Sequence, residues 1–206
     1  MINIKKTVGI MGVNCYILAD KNEAIIIDPG SDAENIINTL KENNICAKYI
    51  VLTHCHFDHI LAVEKLIQKL DVKLITCQSE KENLLDSSIN YTNRYSRKPV
   101  SLLADLYVKN GDVIKSGEFD FKVLETPGHT SGSMCLYCEK ESILISGDTL
   151  FFESVGRCDL STGNGDILVK SIKDQLYSLP DDTLVLPGHG ENTTIGHEKK
   201  NNPYIF

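Results

Sequence analysis

The sequence predicts a mixed α/β chain built as a layered sandwich, with helices outside β-sheet. Three observations carry this expectation. Short apolar runs of strand length recur between turn residues; stretches with apolar residues at helical spacing alternate with them in the first part; and a block of strand-like runs follows before a last helix and strand. With 206 residues, 42% of them hydrophobic, the chain can bury a full core as one domain spanning 1–206 without disulfides.

Residues 13–20 (VNCYILAD) and 23–30 (EAIIIDPG) read as the two strands of a hairpin. A helix over 32–44 follows a Ser31/Asp32 cap signal, and 48–53 (KYIVLT) is a buried strand. Residues 58–70 are helical and 72–77 return to strand. Strands are then expected over 119–128, 133–140 and 142–148, a helix over 165–179, and a last strand over 183–189. Residues 79–110 are the most polar and least regular part. They read as a solvated surface insertion; the alternative is a lid or wall over a site, with Tyr91, Arg94, Tyr95 and Arg97 as its contacts. Cys135 and Cys138 form a lone C-x-x-C, but on a strand residues three apart point to opposite faces, so no metal or redox pair is expected there.

A formal net charge of -7, with both signs mixed along the chain, offers no basic stripe for nucleic acid. The first residues lack the long apolar core of a secretory signal, and no apolar run reaches membrane-spanning length. Seven cysteines at irregular spacing do not suit a disulfide framework. The expectation is a cytoplasmic protein with a small-molecule partner and neither a nucleic-acid nor a membrane partner; the oligomeric state is left open.

The chemistry concentrates in residues 52–60, LTHCHFDHI. His54, His56, Asp58 and His59 fall between a strand end and the start of a helix. Alternation points His54 and His56 the same way and Cys55 away from them, while Asp58 and His59 open the helix and aim at a neighbouring point. Two plus two ligands suggest two metals, since a single tetrahedral zinc would be filled by four and keep no open position. Further ligands stand at equivalent strand ends: His129 in TPGHTSGS, Asp148 in LISGDTL and His189 in LPGHGENTT, two of them after a Pro-Gly turn that lets the backbone approach closely. A lone histidine after a turn is more often a surface or core residue than a ligand. Here five of the six histidines fall at strand ends, His197 being the exception. Two divalent cations against two aspartates and a bridging hydroxide leave about one positive charge, suited to a developing oxyanion. Metal-assisted hydrolysis follows, with Asp58 as catalytic residue as well as ligand.

His54-x-His56-x-Asp58-His59, His129, Asp148 and His189 resemble the signature of the metallo-β-lactamase superfamily. That resemblance implies a four-layer αββα sandwich. It puts His54, His56 and His129 on a first metal and Asp58, His59 and His189 on a second, with Asp148 bridging. Asp28, in IIIDPGS, matches an aspartate that supports a ligand from behind. Within the superfamily THCHFDH, TPGHTSGS, SGDTLF and SVGRCDL are most similar to short bacterial members of the glyoxalase II group. The resemblance implies hydrolysis of a small thioester such as S-lactoylglutathione by a bridging hydroxide, with Arg157 near the metals contacting substrate. Only a short segment follows His189, where full-length glyoxalase II carries a glutathione-contacting helical extension. The His/Asp set accepts two zinc ions, with iron or manganese as substitutes. Lactone hydrolysis and persulfide oxidation at a single iron are alternatives on the same scaffold. β-Lactamase activity is disfavoured, since the glutamine or cysteine replacements seen in those enzymes are absent. A non-catalytic metal-binding module comes last, because a closed structural zinc needs only four ligands.

Overall fold

The computed structural model describes residues 1–205. Strands β1 (Ile2–Val8), β2 (Val13–Asp20) and β3 (Glu23–Ile27) form an antiparallel meander. Helix α1 (Ala33–Glu42) crosses over to β4 (Cys46–Leu52), parallel to β3. Two short helices, α2 (Phe57–Ile60) and α3 (Val63–Lys69), lead to parallel β5 (Lys73–Cys77). After α4 (Lys81–Leu85) and α5 (Thr92–Tyr95), β6 (Leu106–Val108) completes a six-stranded sheet in sequence order.

The second sheet begins with the antiparallel run β7 (Val113–Ser116), β8 (Phe119–Glu125), β9 (Met134–Cys138) and β10 (Ile143–Gly147). A small hairpin, β11 (Leu150–Phe151) and β12 (Ser154–Val155), precedes α6 (Gly165–Ser171), which runs on as a π-helical turn over Ile172–Leu176. Then β13 (Leu184–Pro187) lies parallel to β10, followed by β14 (Thr193–Thr194) and α7 (Ile195–Asn201).

Strand alternation explains the layering. On β2, Tyr16 and Leu18 face the second sheet while Cys15, Ile17 and Ala19 face α1 and α3; both sets are buried. The central layer joins Ile25, Ile27 and Val51 of the first sheet to Phe121, Val123 and Leu136 of the second. A third cluster packs Leu168, Ile172 and Leu176 against Leu144 and Val185 on the outer face of the second sheet. The result is the four-layer αββα sandwich. Cys135 and Cys138 lie in the outer and central layers respectively, on opposite faces as expected.

Several expectations need correction. The second predicted strand stops at Ile27, because Asp28 turns the chain with φ of 50°. Asp32 precedes α1 in the left-handed region and its side chain does not cap; it accepts from the Gly9 N–H at 3.4 Å instead. The single helix predicted over 58–70 is two. Residues 79–110 are not a solvated insertion: Glu80, Asn83, Asn90 and Thr92 are buried. β1 and α7 were not anticipated. β1 alternates only weakly and lies at a sheet edge, and the polar tail folds as α7 around buried Ile195 and Glu198. Asn164 caps α6 by accepting the Ile167 N–H at 3.1 Å. Asn164→Ala is expected to cost about 1 kcal/mol of stability, read as a small fall in the denaturation midpoint at unchanged slope. Among the described residues no helix is long and apolar enough to cross a membrane.

Candidate metal centre

One edge of the sandwich gathers the ends of β3, β4, β8, β10 and β13. The register that pairs Ile27 with Val51 brings Asp28 beside Thr53, whose N–H and hydroxyl donate to the Asp28 carboxylate at 2.8 and 2.7 Å. The two sheets meet here as well. Asn14 at the start of β2 donates from its backbone N–H to Gly188 O at 2.7 Å, and the Tyr16 hydroxyl donates to Pro187 O at 2.8 Å. β13 is thereby docked against β2, and His189 arrives beside residues of the first sheet.

All seven predicted ligands converge. His54 Nε2 lies 3.3 Å from His129 Nε2, and His56 Nδ1 lies 2.9 Å from the same atom. Asp58 Oδ2 lies 3.2 Å from His189 Nε2 and 3.8 Å from His59 Nε2. Asp148 stands between the groups: Oδ1 is 3.5 Å from His59 Nε2, and Oδ2 is 3.6 Å from both His129 Nε2 and His189 Nε2. Two triads, His54/His56/His129 and Asp58/His59/His189, each present ligand atoms within 4.8 Å of one another. Asp28 sits behind them, 1% exposed, with Oδ2 3.0 Å from His59 Nδ1.

The residues fit divalent metal ions. Two nitrogens each about 2.0–2.1 Å from one tetrahedral zinc lie roughly 3.4 Å apart, close to the His54–His129 separation. His59 Nε2 and Asp148 Oδ1 are buried without hydrogen-bond partners, which a native interior rarely tolerates without an unseen ligand. Among the described residues no lysine or arginine pairs with Asp28, Asp58 or Asp148; their only charged neighbours are histidines. Burial pushes the His59 pKa down, but Asp148, Asp58 and Asp28 together outweigh it and raise it to about 10. His189 is likewise raised against burial, by Asp58 and Asp148. Burial opposes ionisation of Asp58, yet His59 and His189 hold its carboxyl well below the usual range. His54 and His56 are pushed far down, by burial first and then by the neighbouring imidazoles.

Backing contacts set ring orientation. His129 Nδ1 is 2.7 Å from the carbonyl of Arg157, so it donates there and leaves Nε2 free as a ligand atom. Arg157 thus touches the centre through its backbone. Its guanidinium lines the adjoining cavity but forms a two-pronged pair with Asp159, at 2.8 and 2.9 Å. Cys55 turns away from the ligands into the layer beneath α1 and α3, its thiol kept protonated by burial and by Glu80 beside it.

A cavity of about 590 Å³ opens on the centre, lined among others by Met11, Phe57, Tyr91, Arg94, Tyr95 and Phe151. Tyr91 bridges two loops, its hydroxyl 2.8 Å from Ser161 Oγ, and its ring centroid is 5.5 Å from that of His56. Tyr95 stacks on Phe57 at 4.3 Å. Part of the 79–110 segment is therefore a site wall, although Arg97 takes no part in it. Sequence reasoning missed Glu80, whose buried carboxyl holds the Cys55 N–H at 2.8 Å and Thr130 Oγ1 at 3.0 Å. An acid in a polar stretch carries no signal of burial.

The sequence profile described as "Metallo-beta-lactamase superfamily" matches residues 8–189. A Haemophilus influenzae protein named hydroxyacylglutathione hydrolase GloC is 33% identical over 93% of this chain and 92% of its own. Among solved structures, one described as BLEG-1 B3 metallo-beta-lactamase superposes with a TM-score of 0.93 at 38% identity, covering 99% of both chains. TTHA1623 in a di-iron-bound form superposes at 0.89 with 32% identity, covering 98% of this chain and 100% of that one. Profile, relatives and superposed folds all lead to one assignment: the chain belongs to the metallo-beta-lactamase superfamily, as a metallo-hydrolase with a candidate His/Asp metal site.

Proposed function

We propose that the chain is a dinuclear metal-dependent hydrolase cleaving a small thioester of the S-lactoylglutathione kind. His54, His56 and His129 would hold one divalent ion, and Asp58, His59 and His189 the other. The observation that carries the reading is the place of Asp148, within 3.6 Å of ligand atoms from both triads. Two bound ions would supply acidification of a water and polarisation of a carbonyl.

The chain's own residues do the rest. The Arg157 carbonyl orients the His129 ring through Nδ1, and the Asp28 carboxylate faces His59 Nδ1 at 3.0 Å. The cavity, of the size small-molecule sites have, offers apolar and aromatic surface from Met11, Phe57, Tyr95 and Phe151 for the thioester. Arg94, which carries no carboxylate partner among the described residues, leaves a cation at the opening for an acidic group on the thiol carrier. Named similarity to a hydroxyacylglutathione hydrolase supports the substrate class.

A second reading has one observation behind it. His54, His129 and Asp148 alone form a compact set, with separations of 3.3 and 3.6 Å, able to hold a single iron for persulfide oxidation. The metal-loaded protein separates these readings when assayed on S-lactoylglutathione, a lactone, a cephalosporin and, with oxygen monitored, a persulfide. Thioester hydrolysis is expected to have the highest kcat/KM. Oxygen uptake with the persulfide, or faster opening of the lactam, would displace the thioester assignment.

A further inference from the structure

One fully buried acid outside the seven converging residues touches both loops that carry the three-histidine triad. Glu80 Oε1 accepts the Cys55 backbone N–H at 2.8 Å and Thr130 Oγ1 at 3.0 Å. Its Oε2 accepts from Asn83 Nδ2 at 2.9 Å, and the same Asn83 amide donates to Ser131 Oγ at 2.9 Å. Cys55 lies between His54 and His56, and Thr130 follows His129. One oxygen therefore joins two ligand loops that are far apart in sequence.

Nothing about this contact is casual. Among the described residues no lysine or arginine forms an ion pair with Glu80, so the carboxyl is buried at a desolvation cost met only by hydrogen bonds. The loop carrying Thr130 also comes so close that a Cβ on Gly132 would lie 2.4 Å from Glu80 N and 2.4 Å from Oε2. Glycine at that position is a steric requirement for bringing the loop onto the carboxyl. Among the described residues Asp58, His59 and His189 form no hydrogen bond or ion pair with it.

We propose that Glu80 is the positioning residue of the three-histidine subsite: by clamping the His54/His56 loop to the His129 loop it sets that subsite's affinity for its ion. The inference rests on the reading that the triads hold divalent ions, and not on the identity of the substrate. Contacts made directly on a ligand are worth roughly 10–100-fold in metal affinity; Glu80 acts one residue away from its ligands, which makes that range its upper bound.

The test titrates metal-free wild type, Glu80→Ala, Glu80→Gln and Gly132→Ala with Zn2+ by calorimetry and with Co2+ by visible absorption. Asp58→Ala serves as the reference that loses the other equivalent. Glu80→Ala is expected to weaken one equivalent, by at most about 10–100-fold, and leave the other unchanged. Gly132→Ala, which keeps the carboxyl but presses on it and on the backbone at Ser79 and Glu80, should weaken the same equivalent. Glu80→Gln keeps an Oε1 that can accept from both Cys55 and Thr130, with the Asn83 amide turned over, and should stay within a few-fold of wild type. Thermal unfolding of the metal-free forms measures any general loss of structure.

Equal weakening of both equivalents in step with lost stability would make Glu80 merely structural and overturn the inference. So would unchanged affinities in Glu80→Ala or, should that variant fail to fold, in Gly132→Ala. A wild type that binds no metal would remove both the inference and the proposed function. A wild type that binds two ions but hydrolyses no thioester would overturn the substrate alone.

Discussion

Asp58→Ala is expected to lower kcat/KM for thioester hydrolysis on the order of 10³-fold and to leave about one metal ion per chain. The magnitude follows from the several kcal/mol that a divalent ion contributes to stabilising transition-state charge, at 1.36 kcal/mol per tenfold. Asp58 is the only acid confined to the second triad; without it His59 and His189 are two imidazoles facing Asp148. The three-histidine triad keeps all its atoms, so one equivalent should stay. Metal analysis beside steady-state kinetics decides the matter. Unchanged hydrolysis with one ion bound would mean that one ion suffices, and the two-ion reading would be wrong.

Gly188→Ala is expected to cost about 10²-fold in kcat and to weaken metal binding, although it alters no ligand. A Cβ at this position would lie 2.2 Å from Asp148 Oδ1 and 2.9 Å from His59 Cε1. The backbone of Gly188 is not in the left-handed region, so the strain is purely one of space. The cheapest relief is rotation of the Asp148 carboxylate, which is the group standing between the triads. Overpacking of this size typically costs about 1–3 kcal/mol in stability, so the variant should still fold. Metal titration together with kcat, on protein shown to be folded by its thermal transition, gives the answer. A variant with wild-type kcat and affinity would show that Asp148 tolerates displacement and that its bridging place is incidental.

The convergence of the candidate centre is largely legible in the sequence because its seven residues are histidines and aspartates at strand ends, where spacing alone reveals direction. His54 and His56 share a face by alternation, and Asp58 and His59 follow at a helix start; no tertiary knowledge is needed to group them. His129, Asp148 and His189 were placed by the same rule applied to later strands. The groups that hold those seven residues in place are not legible in the sequence. Glu80 looks like any acid in a polar stretch, and its main partner is a backbone N–H, which has no residue type to betray it. Arg157 is expected to contact substrate and does line the cavity, but that its carbonyl also touches His129 has no signal in the sequence, because a carbonyl is common to every residue. The fold followed the same division. β2, β3 and the last three residues of β4, buried on both faces, stand out as apolar runs, whereas β1 at a sheet edge and α7 around buried Glu198 are polar enough to pass for loop.

The seven converging residues come from both sheets: His54, His56, Asp58 and His59 follow β4, while His129, Asp148 and His189 follow β8, β10 and β13. Two ions at that junction would act as a clasp between halves of the sandwich that are otherwise joined there by contacts such as Asn14 to Gly188 and Tyr16 to Pro187. Binding to the folded state alone adds stability by mass action, about 2.7 kcal/mol when free metal exceeds its dissociation constant a hundredfold. The amount of intact protein in a cell would then track metal supply, so that starvation for metal lowers the abundance of the enzyme as well as its turnover.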